Sequence, residues 1–202
     1  MGAARHERPY RHWILSETLP ARLAQALDAL PFAPPDLHGV SGSREVHNNT
    51  RRYIDQAAIA AHPVCRSVAE AFQDPRTVAL VEKVTGAHLA DCCLRIEYAQ
   101  DTDGFWLQPH TDLGVKKFTL LYYLSPETDA DLGTDVYADA DTWSHRAPFK
   151  PGMAMAFVPS NNTWHGFAPR PIPVVRKSLI VNYVTAEWRA REQLAYPESP
   201  VR

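Results

Sequence analysis

With 202 residues, 45% of them hydrophobic, the chain is sized for one domain with a full core. Its 21 lysines and arginines against 23 aspartates and glutamates leave a net charge of -2, so neither a polyanion nor a membrane surface is indicated as partner. Seventeen prolines against nine glycines argue against a long-helix protein and favour many turns.

The opening stretch MGAARHERPYRHW has no apolar run and does not read as a signal peptide. His6 stands where a myristoylation signal at Gly2 would need Ser or Thr. No stretch approaches the ~18 consecutive apolar residues of a membrane span. From Ser16 to Leu30, the apolar residues Leu19, Leu23, Ala26, Leu27 and Leu30 recur at helical spacing. PFAPPDLHG follows as a loop, and REVHNNTRRYID, with His47 to Arg52, reads as a capped loop or a substrate-facing segment. Helices are predicted over Ala58–Phe72 and Asp74–Val84, the second opened by Asp74-Pro75 and closed by Gly86.

Cys65, Cys92 and Cys93 are odd in number and lack C-x-x-C spacing. They read as reduced, core-filling thiols of a cytoplasmic protein. After residue 90 the pattern turns strand-like. CCLRIEYAQ, FWLQPHTD, FTLLYYLS, GTDVYAD, GMAMAFVPS and SLIVNYVTAEW are short and rich in aromatic and β-branched residues, with Gly, Pro, Asp and Asn between them. Six strands so spaced predict a sandwich, barrel or jelly roll. The expected organisation is a single domain over 1–202, with a helical N-terminal layer (1–90) on a β core (91–187). The acidic run ETDADLGTDVYADAD reads as solvated surface or a lid.

His110 and Asp112 sit two apart in QPHTDLG, so on a strand they share a face. An imidazole and a carboxylate suit Fe(II), Mn(II) or Zn(II), and a third ligand must come from another strand. His165 follows a clear strand and a polar turn, whereas His145 reads as loop, so His165 is the preferred partner. Farther on, Arg176 and Ser178 share a strand face. A strand that is otherwise buried but opens with arginine calls for a carboxylate, which a guanidinium holds bidentately. For Arg176 that partner is either a ligand or an internal acid such as Glu97.

This ordered set, H-x-D, a distal His, then R-x-S, resembles the iron(II)- and 2-oxoglutarate-dependent dioxygenases over roughly residues 94–185. The prolyl-4-hydroxylase-like branch is the nearest in pattern. The resemblance implies a mainly β fold, a cupin-like jelly roll or double-stranded β-helix, with N-terminal helices against one sheet. It implies Fe(II) held by His110, Asp112 and His165, with 2-oxoglutarate as co-substrate, O2, and ascorbate as an optional addition. Arg176 would take the distal carboxylate of 2-oxoglutarate with Ser178 assisting, and Tyr98, Tyr123 and Thr119 would lie near it. The implied reaction is hydroxylation of an unactivated C–H bond, with succinate and CO2 as co-products. Related halogenases have Gly or Ala where Asp112 stands, leaving room for chloride. Three features depart from the family's pattern: Gly133 stands alone where many relatives carry a double glycine, Arg176 lies about one residue farther from His165 than usual, which a bulge could absorb, and the turn SNNTWHGF is polar, as a segment shaping the pocket mouth would be.

Arg51, Trp106 and Asn162 are candidate substrate contacts. The expected substrate is a small polar or amino-acid-like molecule, with no nucleic acid or membrane as partner. A peptidyl, prolyl-type substrate is the alternative. Two other functions fit a metal-binding jelly roll: a sensor or binding module that does not oxidise, and a cupin-type isomerase or dioxygenase without co-substrate. The last gives Arg176 and Ser178 no task.

Overall fold

The computed structural model describes residues 2–37, 42, 51–112, 114–125 and 131–202. Strands β1 (Gly2–His6), β2 (His12–Ser16), β3 (Arg52–Tyr53), β4 (Cys93–Asp101), β6 (Lys116–Tyr123), β9 (Met153–Phe157) and β11 (Arg176–Val184) form a major sheet ordered β1-β2-β9-β6-β11-β4-β3. A minor sheet of β5 (Leu107–His110), β7 (Asp135–Tyr137), β8 (Trp143–Arg146) and β10 (His165–Phe167) is ordered β5-β10-β7-β8. Neighbouring strands pair antiparallel throughout. This is the expected jelly roll.

Strand alternation gives the major sheet two different faces. Leu179, Val181 and Tyr183 of β11 join Tyr98, Leu120 and Tyr122 in a cluster with helical residues such as Leu27, Val68 and Val78. Ile180 on the opposite face meets Leu121, Tyr123 and Phe157, together with Val136 and Phe167 of the minor sheet. One core therefore lies under the helices and the other between the sheets. All three cysteines are free and buried, as expected. Burial pushes the Cys65 and Cys92 thiols up to about 11, so both stay protonated.

The helices α1 (Ala21–Asp28), α2 (Gln56–Ala61), α3 (Pro63–Gln73) and α4 (Pro75–Thr85) correct two predicted boundaries. The first helix starts only after Pro20, because Ser16 ends β2. The second is broken at Pro63, whose ring holds His62 extended at φ -126°, ψ 113°. The third keeps its expected cap: the Asp74 carboxylate accepts from Arg76 N at 2.8 Å, and Gly86 closes the helix at φ 75°. The N-terminal part is also not purely helical, since β1 and β2 extend the major sheet beside β9.

The β4-to-β11 pairing starts at Asp101↔Arg176 and runs without a shift to Cys93↔Val184. Before Arg176, the register of β10 on β5 shifts between His165 and Phe167, and the irregular segment 168–175 follows; together they take up the longer spacing. The lone Gly133 sits where a Cβ would meet the Ala147 carbonyl at 1.7 Å, so glycine is required there. Asp135, in the run read as acidic surface, is fully buried and accepts from Arg146, Arg170, Trp143 and the Ala168 amide. Burial would raise its pKa, but those donors outweigh burial and hold the carboxyl below its ordinary value.

Candidate metal centre

β5 and β10 are neighbours, and His165 pairs directly with His110. Their rings are 4.4 Å apart between centroids. Asp112 lies two residues past the end of β5, so the H-x-D pair straddles a strand end and is not wholly extended. His110, Asp112 and His165 each offer a ligand atom within 4.8 Å of the others. Gly166 allows the close approach of β10, because a Cβ there would meet the Leu107 carbonyl oxygen at 2.8 Å.

The donor set fits a divalent metal. His110 Nδ1 lies 2.9 Å from the Gln108 carbonyl oxygen, and His165 Nδ1 lies 2.9 Å from the Thr163 carbonyl oxygen. A carbonyl only accepts, so each Nδ1 carries the proton and each Nε2 keeps its lone pair. Asp112 is fixed at both oxygens: Lys116 Nζ donates to Oδ1 at 2.8 Å and Thr119 Oγ1 donates to Oδ2 at 2.7 Å. Asn182 Nδ2 donates to Thr119 Oγ1 at 2.9 Å, which fixes the threonine in turn. Two neutral imidazoles and a carboxylate are the 2-His-1-carboxylate set of non-haem iron sites.

These residues open onto a cavity of about 330 Å³ between the sheets. Arg176 lines it and is buried. Its Nε donates to the Leu132 carbonyl at 2.7 Å and its Nη1 to Asp101 at 2.5 Å. Nη2 reaches Thr134 Oγ1 only at 3.5 Å and is the least engaged of the three nitrogens. The internal acid beside Arg176 is therefore Asp101; Glu97 pairs with Arg51 and Arg95. Ser178 follows on the same face, and its buried Oγ has no hydrogen-bond partner among the described residues.

The remaining sequence candidates divide. Thr119 lines the cavity but holds Asp112. Tyr123 lies on the cavity side, its hydroxyl donating to Thr134 Oγ1 at 2.9 Å and its ring centre 5.7 Å from the Arg176 guanidinium carbon. Tyr98 is a correction: it faces the helices, and its hydroxyl donates to the Leu27 carbonyl at 2.9 Å. It sits one strand position from the cavity face, and a one-residue step along a strand reverses the side chain.

Arg51 lines the cavity, whereas Trp106 and Asn162 are not among its lining residues. Trp106 packs on Gly42, whose φ of +103° and lack of Cβ admit the ring. Asn162 is exposed in a turn, where it accepts from Ser160 Oγ at 2.5 Å. His145, read as loop, is on β8, and its Nε2 is 3.2 Å from His12 Nε2. His38, His47, Asn48, Asn49, Thr50 and part of the acidic run lie outside the described residues.

Sequence reasoning missed three groups. Lys116 was hidden inside a strand pattern, and only its i,i+4 spacing from Asp112 signals the pair. Arg95 and Asp101 flank the strand segment that carried Glu97, and nothing in their spacing announces an ion chain. Tyr10 comes from the N-terminal turn, and its buried hydroxyl has no partner among the described residues. Burial first, then the nearby Asp112 and Tyr123, raise its pKa, so it stays protonated.

Three solved structures share the architecture. A prolyl-4-hydroxylase from Pseudomonas putida is similar at 17% identity and TM-score 0.61, over 86% of this chain and 92% of that one. A prolyl hydroxylase from Trichoplax adhaerens, in complex with a hypoxia inducible factor peptide fragment, matches at 14% identity and TM-score 0.59, over 89% and 86%. The non-heme alpha ketoglutarate dependent epimerase SnoN of nogalamycin biosynthesis matches at 16% and TM-score 0.55, over 87% and 78%. The fold is the one these enzymes share. No protein-family model matches the sequence, and neither does any curated protein.

Proposed function

We propose that this chain is an Fe(II)- and 2-oxoglutarate-dependent oxygenase that hydroxylates an unactivated C–H bond of a small polar or amino-acid-like substrate. The observation that carries the reading is the joint placement of His110, Asp112 and His165 beside a buried arginine in one cavity. Fe(II), when bound, would supply activation of O2 coupled to decarboxylation of 2-oxoglutarate to succinate and CO2.

The chain's own residues do the rest. The Gln108 and Thr163 carbonyls hold both imidazoles in the tautomer that leaves Nε2 free. Thr119 holds Asp112 Oδ2 in place, while Lys116 neutralises Oδ1 until a metal takes over that charge. Arg176 receives the distal carboxylate through its weakly engaged Nη2, with the Thr134 and Ser178 hydroxyls close by on the same side of the sheet. Phe167, Leu121 and Ile180 line the cavity and displace water, which strengthens each ionic contact inside it. Asp112 in place of a small residue leaves no room for a halide and supports hydroxylation over halogenation.

Purified protein loaded with Fe(II) is expected to bind 2-oxoglutarate and form succinate under O2. His165→Ala should abolish metal binding, and Arg176→Met should weaken 2-oxoglutarate binding by at least tenfold, from loss of a charge-assisted pair worth ~1.5–3 kcal/mol. Absence of 2-oxoglutarate binding to the iron-loaded protein would overturn the reading. A peptidyl substrate is the second reading, favoured by the likeness to a prolyl hydroxylase in complex with a peptide fragment. Peptide hydroxylation in place of small-molecule turnover would select it.

A further inference from the structure

The inner face of β4 carries an alternating chain of charge. Arg95 Nη1 meets Glu97 Oε2 at 2.7 Å, and Glu97 Oε1 meets Arg51 Nε at 2.9 Å. Arg51 Nη2 stands 4.0 Å from Asp101 Oδ1, whose Oδ2 meets Arg176 Nη1 at 2.5 Å. Three guanidinium groups thus share two carboxylates, and all five side chains line the cavity. The register explains the array: residues 95, 97 and 101 of β4 point inward, with Arg176 opposite Asp101 on β11 and Arg51 entering from the edge at β3.

The three arginines are not equally committed. Arg95 donates to Gln193, Glu97, Asn182 and Tyr53, and its guanidinium carbon lies 4.8 and 4.6 Å from the rings of Tyr53 and Trp188. Arg176 is held by Leu132, Asp101 and Thr134. Arg51 spends only Nε, on Glu97; among the described residues its terminal nitrogens make no hydrogen bond, Asp101 being 4.0 Å away. Its side chain is 13% exposed and lines the cavity. A guanidinium fork with a free outer edge matches a carboxylate.

The charge count points the same way. Among the described residues lining the cavity, Arg51, Arg95, Lys116 and Arg176 face Glu97, Asp101 and Asp112, an excess of one positive charge. A divalent metal raises the excess to three, and the 2-oxoglutarate dianion returns it to one. An uncompensated charge in a partly enclosed cavity is costly, and a monoanion removes it.

We infer that the substrate is a small monocarboxylic acid whose carboxylate docks on the terminal nitrogens of Arg51. The inference rests on the oxygenase reading of the pocket and adds the substrate class. Phe105, whose ring centre is 5.9 Å from the Arg51 guanidinium carbon, offers an apolar wall to the rest of the molecule. The cavity, about 330 Å³ for both co-substrate and substrate, is at the lower end for small-molecule sites and favours a compact acid.

The test uses full-length protein loaded with Mn(II) and saturated with N-oxalylglycine, an inert 2-oxoglutarate analogue that occupies the Arg176 end. The probes are short 2-hydroxy acids and N-acetylated amino acids, monoanions at neutral pH, each beside its own carboxamide, read by calorimetry and melting temperature. At least one free acid is expected to bind ten times more tightly than its amide. Arg51→Lys, which keeps the charge but loses the fork, should shrink that gap to threefold or less in protein shown by circular dichroism to be folded. Equal binding of acid and amide in the unaltered protein, binding by no acid, or a gap that persists in Arg51→Lys overturns the inference. Failure of N-oxalylglycine itself to bind strikes the oxygenase reading, and this inference with it. Binding of N-oxalylglycine without acid-amide discrimination strikes the substrate class alone.

Discussion

Lys116 and Asp112 form a buried ion pair inside what reads as a metal site. An ammonium and a divalent ion compete for the same counter-charge, so Lys116 is the partner of Asp112 when the metal is absent. Breaking a buried pair costs about 3–5 kcal/mol, because the remaining charge is left uncompensated. Lys116→Met is therefore expected to destabilise metal-free protein by about 3 kcal/mol and Mn(II)-loaded protein by much less. Urea melts with and without Mn(II) check this; an equal loss in both states would mean that the metal does not take over the carboxylate. The ligands themselves were legible because H-x-D and a distal histidine survive as local text. Lys116 was not, because a lysine in a strand pattern reads as an exposed residue until the fold buries it.

At the scale of elements, the strand face decides what each tyrosine does. Tyr98 ties β4 to α1 through the Leu27 carbonyl, so Tyr98→Phe should lose about 1 kcal/mol of stability and leave 2-oxoglutarate affinity unchanged. Altered affinity without altered stability would place Tyr98 at the pocket after all. The side-chain contact between β2 and β8, which joins the two sheets, is also testable. His12 is buried, its Nδ1 lies 2.9 Å from the Tyr10 carbonyl, and its Nε2 meets His145. Burial, then neighbouring histidines, hold both imidazoles below their ordinary value of 6.5. The unfolded chain therefore takes up protons as pH falls through about 6.5 while the folded chain does not, so stability is full above that pH and declines below it. Thermal melts from pH 7.5 to 5.0 should show the decline, and His12→Gln should flatten it; a slope identical in the variant would remove His12 as its source.

For the whole molecule, the metal ligands come from a strand end in the minor sheet and from β10, while Arg176 and the residues fixing Asp112 come from the major sheet. Metal ligands from two strands of one sheet, with the anion-binding arginine on the other, come together only in the folded chain, so binding there is linked to global stability. Mn(II) at about 100 times its dissociation constant should add about 2.7 kcal/mol, and N-oxalylglycine should add further stability only when the metal is present. Titration of the melting temperature with each, singly and together, reads both effects. Stabilisation by N-oxalylglycine in metal-free protein would separate the anion site from the metal centre.

The sequence by itself determined a β core of the sandwich, barrel or jelly-roll kind, the capped third helix, the burial of the cysteines and the likeness of its H-x-D, distal His and R-x-S set to an iron oxygenase site. These are local signals: periodicity, caps and short spacings that read the same in any fold. Tertiary structure decided what depends on which strands become neighbours. It turned Tyr98 away from the cavity, drew the N-terminal segment into the major sheet, buried Asp135 between two arginines and moved Trp106 and Asn162 off the cavity wall. It also joined Arg95, Glu97, Arg51, Asp101 and Arg176 into one chain of charge. A sequence gives each charge a position along one line. Their pairing is set by register across β3, β4 and β11, and register is fixed by how the two apolar faces of the sheet are buried.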